Sequence, residues 1–433
     1  MVHSLTTRLP MSSDVLPSSI SGRAGLEELA IRQLTDSGGL ALPNGPGSPI
    51  ETLRSLSALA CAGRAKALIQ LALEQADTFQ LRALLTAIEV LPSSAVVHLF
   101  GHPLAYLDTL PTGQPEDAAN DTRLLTERAF SVARHLLGRA EVEDLFVVMP
   151  PSTTLQAGLY LPHLCLSVRS PAGPVAFHQA QGRLQITWSD GVGMTLAVGA
   201  RLTADNIPTD LLQAGRIVVD SWVDGDRNAT QALNGCAALA NTFSIFEPLS
   251  VGRVAESQAI FKAGRSLLHQ VWPASFTELD LFLRGALFLK RQPFVRSHTP
   301  KTLPGLVLLT SDSPMKVADV LSHEISHVRM NLVLEFDPLI LDDGVCRHPS
   351  PWRSDLRPLI GVLYGVHAFL NVCHFYARYK DTEGAPAIAR QVYEHQCTKL
   401  KKGWQRLQRY AVPTALGESL FAELENGIDS VCK

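Results

Sequence analysis

The run from Val320 to Arg329 contains His323-Glu324-x-x-His327, three residues whose types and spacing could do metal chemistry. In an α-helix, residues four positions apart project about 40° from each other, so the two imidazoles share one face. Two imidazoles on one face can bind a single metal ion, and Glu324 then lies beside the site. The motif therefore predicts a metal centre at His323 and His327 with Glu324 as the candidate catalytic residue. The alternative is a chance match in a protein with 14 histidines.

The surrounding sequence favours the helix that this motif requires. Ser313 is a suitable N-cap, and Pro314 is a suitable first helical residue. The run Leu306–Thr310 predicts a strand immediately before it. An apolar stripe continues through the motif, so the helix is expected to be largely buried; its members are Val317, Val320, Leu321, Ile325, Val328 and Leu332.

A metal ion held by two histidines needs a third protein ligand and open positions for chemistry. Neither common zinc-peptidase extension follows the motif: there is no third histidine just after it, and no glutamate in the expected context about 20 residues later. His367 lies inside the apolar run Leu359–Leu370 and is either a core histidine or the third ligand. The downstream candidates are Glu335, Asp337, Asp342, Asp343, His348, His367 and His374.

Arg353 and Arg357 lie in a proline-rich, tryptophan-containing run, His348–Pro358, which is predicted to be a loop. Guanidinium groups bind carboxylates through a bidentate fork, so these arginines could hold an anionic co-substrate such as a 2-oxo acid. The alternative is a local ion-pair cluster in which Asp355 binds both arginines and orients the loop.

Taken together, these segments resemble the HExxH-motif family of peptide-modifying proteins, which is associated with gene clusters for ribosomally synthesised and post-translationally modified peptides. The resemblance covers roughly residues 300–375, and it is carried by Ser322–His327, Pro349–Pro358 and Gly361–Phe369. It implies an Fe(II)- and 2-oxoglutarate-dependent dioxygenase, a β-hydroxylase acting on side chains of a precursor peptide.

The same resemblance implies particular roles for residues of this protein. The iron ligands would be His323, His327 and His367, and the 2-oxoglutarate carboxylate would be held by Arg353 or Arg357. Dioxygen and 2-oxoglutarate would be the co-substrates. Tyr364 is a departure, because some members are expected to have a histidine there; if that position supplies the ligand, the site here is altered.

Two other functions remain open from the residues themselves. In a zinc-dependent hydrolase, Glu324 would activate a metal-bound water. In a non-catalytic peptide-binding protein, the motif would be a relic. In a hydroxylase, by contrast, Glu324 would orient a ligand or help to bind the metal.

The overall composition narrows the class of protein. The 433 residues are 46% hydrophobic and 18% charged, as in an ordinary soluble protein with a large core. A net charge of -3 without a basic cluster argues against a nucleic-acid partner. No apolar run approaches the roughly 18 residues needed to span a membrane, and the first ten residues do not resemble a signal peptide. Seven cysteines without a CxxC pair predict free thiols in a reducing cytoplasm.

The hydrophobic periodicity predicts a mostly α-helical α+β protein. Its expected parts are a flexible arm (1–22), a helical N-terminal domain (23–140), a β-rich middle region with a small antiparallel sheet (141–250) and a helical catalytic domain that carries the motif (251–433). Predicted helices outside the motif are Ala24–Thr35, Ile50–Cys61, Ala65–Ala76, Phe79–Leu91, Asp121–Gly138, Ala255–Val271, Phe276–Leu289, Leu359–Lys380, Ala387–Arg409 and Leu416–Asp429. Predicted strands in the middle region are Asp144–Met149, Leu159–Val168, Leu184–Trp188, Met194–Val198 and Ile217–Val223.

Overall fold

The computed structural model confirms a mostly α-helical α+β fold, with helical regions on either side of small antiparallel sheets. It describes residues 31–32, 39–43, 49–76, 78–100, 105, 122–142, 144–151, 159–161, 164, 166–170, 173–198, 207–214, 216–219, 254–283, 285–289, 297–301, 303–310 and 312–433. The arm predicted over residues 1–22 lies outside the described residues, as does nearly all of the helix predicted over residues 24–35.

Residues 49–219 form a helical region followed by a β-rich region. The helices are α1 (Pro49–Gln75), α2 (Phe79–Glu89), α3 (Ser93–Phe100) and α4 (Thr122–Ser131), the last continued by a 3-10 turn (Val132–His135). Then come β1 (Asp144–Met149), β2 (Leu159–Leu161), β3 (Leu166–Val168), β4 (Val175–Ala180), β5 (Arg183–Trp188), β6 (Gly193–Ala197), α5 (Thr209–Gln213) and β7 (Ile217–Val219).

These strands form two antiparallel sheets, one in the order β1-β4-β5-β6 and the other in the order β2-β3-β7. Alternate residues of β5 are buried, namely Leu184, Ile186 and Trp188, as expected for strands with one face against a core. Side chains from α1 to α4 and from both sheets pack into one apolar core. The helical and β-rich regions are therefore joined through shared burial of apolar surface.

Residues 254–433 surround a second core. Their elements are α6 (Val254–Val271), α7 (Pro273–Phe282), β8 (Gly285–Phe288), β9 (Ser297–His298), β10 (Leu306–Leu309), α8 (Pro314–Val333), β11 (His348–Ser350), β12 (Arg353–Arg357), α9 (Leu359–Tyr379), α10 (Ile388–Tyr410) and α11 (Ala415–Val431). Strand β10 pairs in parallel with β8 and antiparallel with β9. Helix α9 packs against α8, α10 and α11, and most of its residues are buried. It is the central helix of this core.

The helix predicted over Phe276–Leu289 is wrong beyond Phe282, because residues 285–288 form the strand β8. All four residues of β8 are buried, and a continuous apolar run has no periodicity that distinguishes a buried strand from a buried helix. The two helices predicted over residues 50–76 are one continuous helix, α1. Gly63 lies within it, where a Cβ would meet no atom within 4 Å.

Three hairpins were not predicted from the sequence. The single strand predicted over Leu159–Val168 is two strands, β2 and β3, which pair antiparallel with each other. Strand β4 was missed, although it alternates buried and less buried residues. Gln181 and Gly182 connect it to β5, and both have positive φ angles, 51° and 70°, as tight hairpin turns require. The predicted loop over residues 348–358 is a hairpin of β11 and β12, in which His348 pairs with Arg357.

Helix α8 begins as its sequence predicts. The Ser313 hydroxyl accepts a hydrogen bond from the backbone N–H of Lys316, and Pro314 occupies the first turn. The buried face of α8 includes Val317, against which Gly264 of α6 packs so closely that a Cβ on Gly264 would lie 2.5 Å from it. This close approach fixes α8 against α6, and α8 also packs against α9.

A short N-terminal segment, residues 39–43, lies between α8, α9 and α11. The side chain of Arg329 donates to the carbonyl of Ala41 at 2.9 Å, and Asn371 Nδ2 donates to the same oxygen at 3.1 Å. The N–H of Ala41 donates to Glu423 Oε2 at 2.9 Å. Arg329 is fully buried and also binds Glu278 through two bonds, 2.7 and 2.5 Å long. The segment is therefore held by its backbone in the C-terminal core.

Two helical stretches, Arg54–Gln75 and Leu359–Tyr379, are long and apolar enough to cross a membrane by length and composition. In the second stretch, which is α9, 72% of the most apolar 18 residues are buried inside the protein, because α9 is the central helix of its core. A buried core helix passes the same test, so this finding is weak evidence for a membrane segment.

Candidate metal centre

The two histidines of the motif lie side by side on α8. Their Nε2 atoms are 3.0 Å apart, and the rings are perpendicular with centroids 4.6 Å apart. Imidazole nitrogens bind a metal ion at about 2.1 Å, so nitrogens 3.0 Å apart would subtend about 90° at one ion. Both side chains are partly exposed. The pair can therefore supply two adjacent ligands to one ion.

The surroundings keep His327 neutral. Removal of the ring from water, followed by the neighbouring charge of His323, holds the pKa of His327 well below its ordinary value. Lys301 acts in the same direction, as do His367 and His298 when they are protonated. A histidine must be unprotonated to bind a metal ion, so this environment favours the ligand form.

Aromatic side chains from α9 and the hairpin line one side of the pair. Phe369 lies 4.8 Å from the ring of His323, and Tyr364 lies 5.6 Å from the ring of His327. Trp352 stacks on Phe369 at 4.6 Å with an interplanar angle of 4°. This aromatic wall, composed of Trp352, Tyr364 and Phe369, leaves an apolar surface beside the two imidazoles.

Tyr364 has a hydrogen-bond partner away from the histidines. Its hydroxyl donates to Asn331 Oδ1 at 2.6 Å, and burial raises its pKa well above the ordinary value. The phenol is therefore neutral and donates a hydrogen bond in this arrangement. A histidine at position 364 would instead offer a ring nitrogen as a metal ligand.

Glu324 is turned into the protein. Its side chain is 2% exposed, and its Oε2 atom accepts a 2.7 Å hydrogen bond from the hydroxyl of Thr299. The charge of Glu324 also acts on His298, where it raises the pKa while burial of that ring lowers it more strongly. The carboxylate is thus already engaged by a hydroxyl group in a buried position. A carboxylate held in this way is suited to orienting neighbouring groups.

His367 is fully buried on α9. Its Nε2 atom lies 2.9 Å from the carbonyl oxygen of Leu40, to which it donates, and its Nδ1 atom has no hydrogen-bond partner. Burial first, and the charge of Arg329 second, lower the pKa of His367 to about 3. The ring is therefore neutral, with the proton on Nε2 and a free lone pair on Nδ1.

The structure brings His323 and His327 together but does not add His367 to them. Among the described residues, the three-donor group with all donor atoms within 4.8 Å of one another is a different one, made of cysteines. The assignment of His367 as third ligand therefore stays a prediction.

The other downstream candidates for the third ligand have partners elsewhere. Glu335 accepts from Ser57, Asp337 from Thr414, and Asp342 from the N–H of Ile360. Asp343 pairs with Arg347, His348 lies against Tyr410, and His374 bonds to Arg378. The contact of Glu335 joins α1 to the C-terminal region, and the others lie within that region.

The two arginines of the hairpin both bind Asp355. Arg353 Nε donates to Asp355 Oδ1 at 2.9 Å, and Arg357 Nη1 donates to Oδ2 at 3.0 Å. The bond from Arg353, then that from Arg357, lowers the pKa of Asp355 to about 2. The side chains of Arg353 and Arg357 are 58% and 37% exposed. The hairpin thus contains the ion-pair cluster that the sequence left open, on a surface where a carboxylate ligand could replace Asp355.

Three residues near the site were not singled out from the sequence. His298 and Thr299 lie at the end of β9 and just after it, and Lys301 lies with its Nζ atom 4.8 Å from the ring centroid of Tyr364. Lys301 is also one of the cations that act on His327. The signal for them is a polar run, Ser297-His-Thr-Pro-Lys301, just before the buried strand that leads into α8. Short polar runs of this kind occur in many loops, so the signal is weak.

Comparison of the sequence with protein-family models gives no match, and comparison with curated proteins also gives none.

Proposed function

We propose that the protein is a metal-dependent peptide-modifying enzyme, an Fe(II)- and 2-oxoglutarate-dependent β-hydroxylase acting on side chains of a ribosomally synthesised precursor peptide. The observation that carries the proposal is the His323–His327 pair, whose Nε2 atoms are 3.0 Å apart on one face of α8. Imidazole ligands suit iron and zinc alike, so the choice between hydroxylase and hydrolase rests on the neighbouring groups.

The position of Glu324 favours a hydroxylase. In a zinc hydrolase this carboxylate would have to accept a proton from a metal-bound water. Here it is buried and accepts a hydrogen bond from Thr299. A hydroxylase needs no activated water, and the Glu324–Thr299 contact then has a positioning role beside His323.

The protein's own residues would contribute ligands, shape and charge. An iron ion, when bound, would supply the oxidative decarboxylation of 2-oxoglutarate by dioxygen, which gives succinate and CO2, with one oxygen atom entering succinate and the other a carbon–hydrogen bond of the peptide. His323 and His327 would hold this ion. The aromatic wall would exclude water from one side of it and offer apolar contact to a peptide side chain.

The co-substrate carboxylate has two candidate binding groups. Arg353 and Arg357 offer guanidinium forks, but each is bound to Asp355. Lys301 offers an ammonium group close to Tyr364 and His327. The arginine pair follows from the family resemblance, whereas Lys301 follows from the geometry around the histidines.

The deciding experiment is anaerobic reconstitution of the protein with Fe(II) or Zn(II), followed by addition of a precursor peptide. With iron, 2-oxoglutarate and dioxygen, we expect formation of succinate and a peptide mass gain of one oxygen atom. Peptide cleavage with zinc would instead establish the hydrolase. Failure of both metals to bind the His323–His327 pair, measured against the His327→Ala variant, would leave a non-catalytic protein with a relic site.

A further inference from the structure

Three cysteines distant in the sequence meet in the C-terminal core. Cys373 lies on α9, Cys397 lies on α10, and Cys432 follows the last residue of α11. Their Sγ atoms all lie within 4.8 Å of one another, and the three residues are 0%, 8% and 4% exposed. Among the described residues, the group of mutually close donor atoms holds these three sulfurs and no histidine nitrogen, so this cluster is a separate donor set from the histidine pair.

The packing of the three helices holds the cysteines in place. The hydroxyl of Tyr393 on α10 donates to the carbonyl of Val431, which fastens the end of α11 beside α10. The N–H of Cys432 donates to Ile428, so its backbone continues the last turn of α11. Cys397 is one turn after Tyr393 on the same helix. The contact that secures the C-terminus thus also brings Cys432 next to Cys397.

Ordinary core packing accounts poorly for this arrangement. A buried cysteine usually behaves as a small apolar residue, and its thiol is a weak hydrogen-bond donor. Here three thiols from three different helical segments all lie within 4.8 Å of one another. A disulfide would use two of the sulfurs and leave the third unpaired, whereas a metal ion would use all three.

We propose that Cys373, Cys397 and Cys432 form a three-thiolate binding site for a thiophilic metal ion, Zn²⁺ or Cu⁺. Thiolate ligands select these ions over harder cations. Zinc–sulfur bonds of about 2.3 Å at tetrahedral angles place the sulfurs about 3.8 Å apart, which is within the separation found here. Three thiolates would leave Zn²⁺ with one excess negative charge, and the charge of Lys401 acts on both Cys397 and Cys432.

The site would have a structural role. The ion would link α9, α10 and the end of α11, which are joined here by apolar packing and by the Tyr393–Val431 hydrogen bond. Because α9 also carries Tyr364 and Phe369, the link would stabilise the helix that forms the aromatic wall. This inference does not depend on the proposed hydroxylase activity.

The test begins with a variant that lacks the histidine pair, His323→Ala/His327→Ala, purified under reducing conditions. Titration with Co²⁺ should produce the intense charge-transfer absorption of cobalt–thiolate bonds, saturating at one ion per molecule. Zn²⁺ and Cu⁺ should then displace the cobalt, and their relative affinities identify the preferred ion. Adding Cys432→Ser should abolish the band.

Matched controls are Cys61→Ser, a buried cysteine of the other core, and Cys346→Ser, an exposed one; both should keep the band. A second measurement needs no cysteine variant. Bound Zn²⁺ should slow alkylation of all three cysteines in the native wild-type protein, read by mass spectrometry, and leave Cys346 unaffected. Absence of the thiolate band in the parent variant, its persistence in Cys432→Ser, or alkylation that ignores Zn²⁺ would each overturn the proposal.

Discussion

Replacing Glu324 by glutamine separates the two chemistries that the histidine pair could support. The substitution keeps the size of the side chain and an oxygen that can accept from Thr299. The substitution replaces a charge-assisted hydrogen bond, worth about 1.5–3 kcal/mol, by a neutral one, worth about 0.5–1.5 kcal/mol. The difference of about 1–1.5 kcal/mol corresponds to a loss of roughly five- to twelve-fold in any step that depends on this contact.

A general base gives a much larger effect. Loss of such a base lowers turnover by about 10²–10⁴-fold, because the proton of the attacking water has no acceptor. For the proposed hydroxylase, we therefore expect Glu324→Gln to retain metal and to lose activity by about tenfold or less. The assay is succinate formation from 2-oxoglutarate with the precursor peptide present, alongside metal analysis of the same samples.

Thr299→Val is the matched control, since it removes the hydroxyl and leaves the carboxylate. If Glu324 acts as a positioning residue through Thr299, the two single variants should have similar losses, and the double variant should be little worse than either. Zinc-dependent peptide cleavage that collapses in Glu324→Gln but survives in Thr299→Val would refute the positioning role and the hydroxylase with it.

Four further predictions concern metal, co-substrate, packing and pH. His323→Ala and His327→Ala should each lose most of the bound iron while the circular dichroism spectrum is retained; wild-type iron content in both would contradict the site. If Lys301 binds the carboxylate of 2-oxoglutarate, Lys301→Met should raise the apparent 2-oxoglutarate requirement roughly tenfold, with the melting temperature little changed. If the hairpin arginines bind it instead, Arg353→Lys should have this effect. Gly403→Ala places a Cβ 2.9 Å from Trp352 and Val366 and should cost about 1–3 kcal/mol in urea unfolding, whereas Gly63→Ala should not destabilise. The pKa of His367 is 6.5 in the unfolded state and about 3 in the folded state, so the unfolded protein binds an extra proton below pH 6.5. The free energy of unfolding of the metal-free protein should therefore decrease as the pH falls below 6.5. His367→Gln should make this decrease smaller, whereas the control His395→Gln, at an exposed position, should not.

The sequence predicted the elements whose local signals are strong. Ser313 and Pro314 marked the start of α8, and the structure places the helix there, because capping is decided by neighbouring residues alone. Strand β8 was mistaken for helix, since its burial comes from pairing with β10 and packing around it, which no local pattern records. The cysteine cluster could not be predicted for the same reason. Its members are far apart in the sequence, and only the packing of three helices brings them together.

In the candidate site, too, contacts set by local sequence were predicted and contacts set by the tertiary fold were not. The spacing of His323 and His327 fixes their common face, so their proximity follows from helix geometry. The hydrogen bond of Glu324 comes from Thr299, which follows β9 and lies 25 residues earlier in the sequence. This contact depends on the tertiary fold, so the sequence did not predict it. The Arg353–Asp355–Arg357 cluster was one of two alternatives from the sequence, and the hairpin pairing that forms it was not predicted.

The tautomer of His367 bears on the completion of the metal centre. Histidines that bind metals usually donate their second ring N–H to a carbonyl or carboxylate, which fixes the ring and leaves the other nitrogen as ligand. His367 has this arrangement, because its Nε2 atom donates to the carbonyl of Leu40 and its Nδ1 atom has no hydrogen-bond partner. However, His367 does not lie with a ring nitrogen within 4.8 Å of both histidines of the pair. The Leu40 carbonyl belongs to the segment over residues 39–43, which is itself held by Arg329, Asn371 and Glu423. A movement of α9 towards α8 on metal binding would therefore have to carry this segment with it. Alternatively, if His367 only anchors the segment, His367→Gln should leave the iron content unchanged, and another group must complete the coordination of the ion.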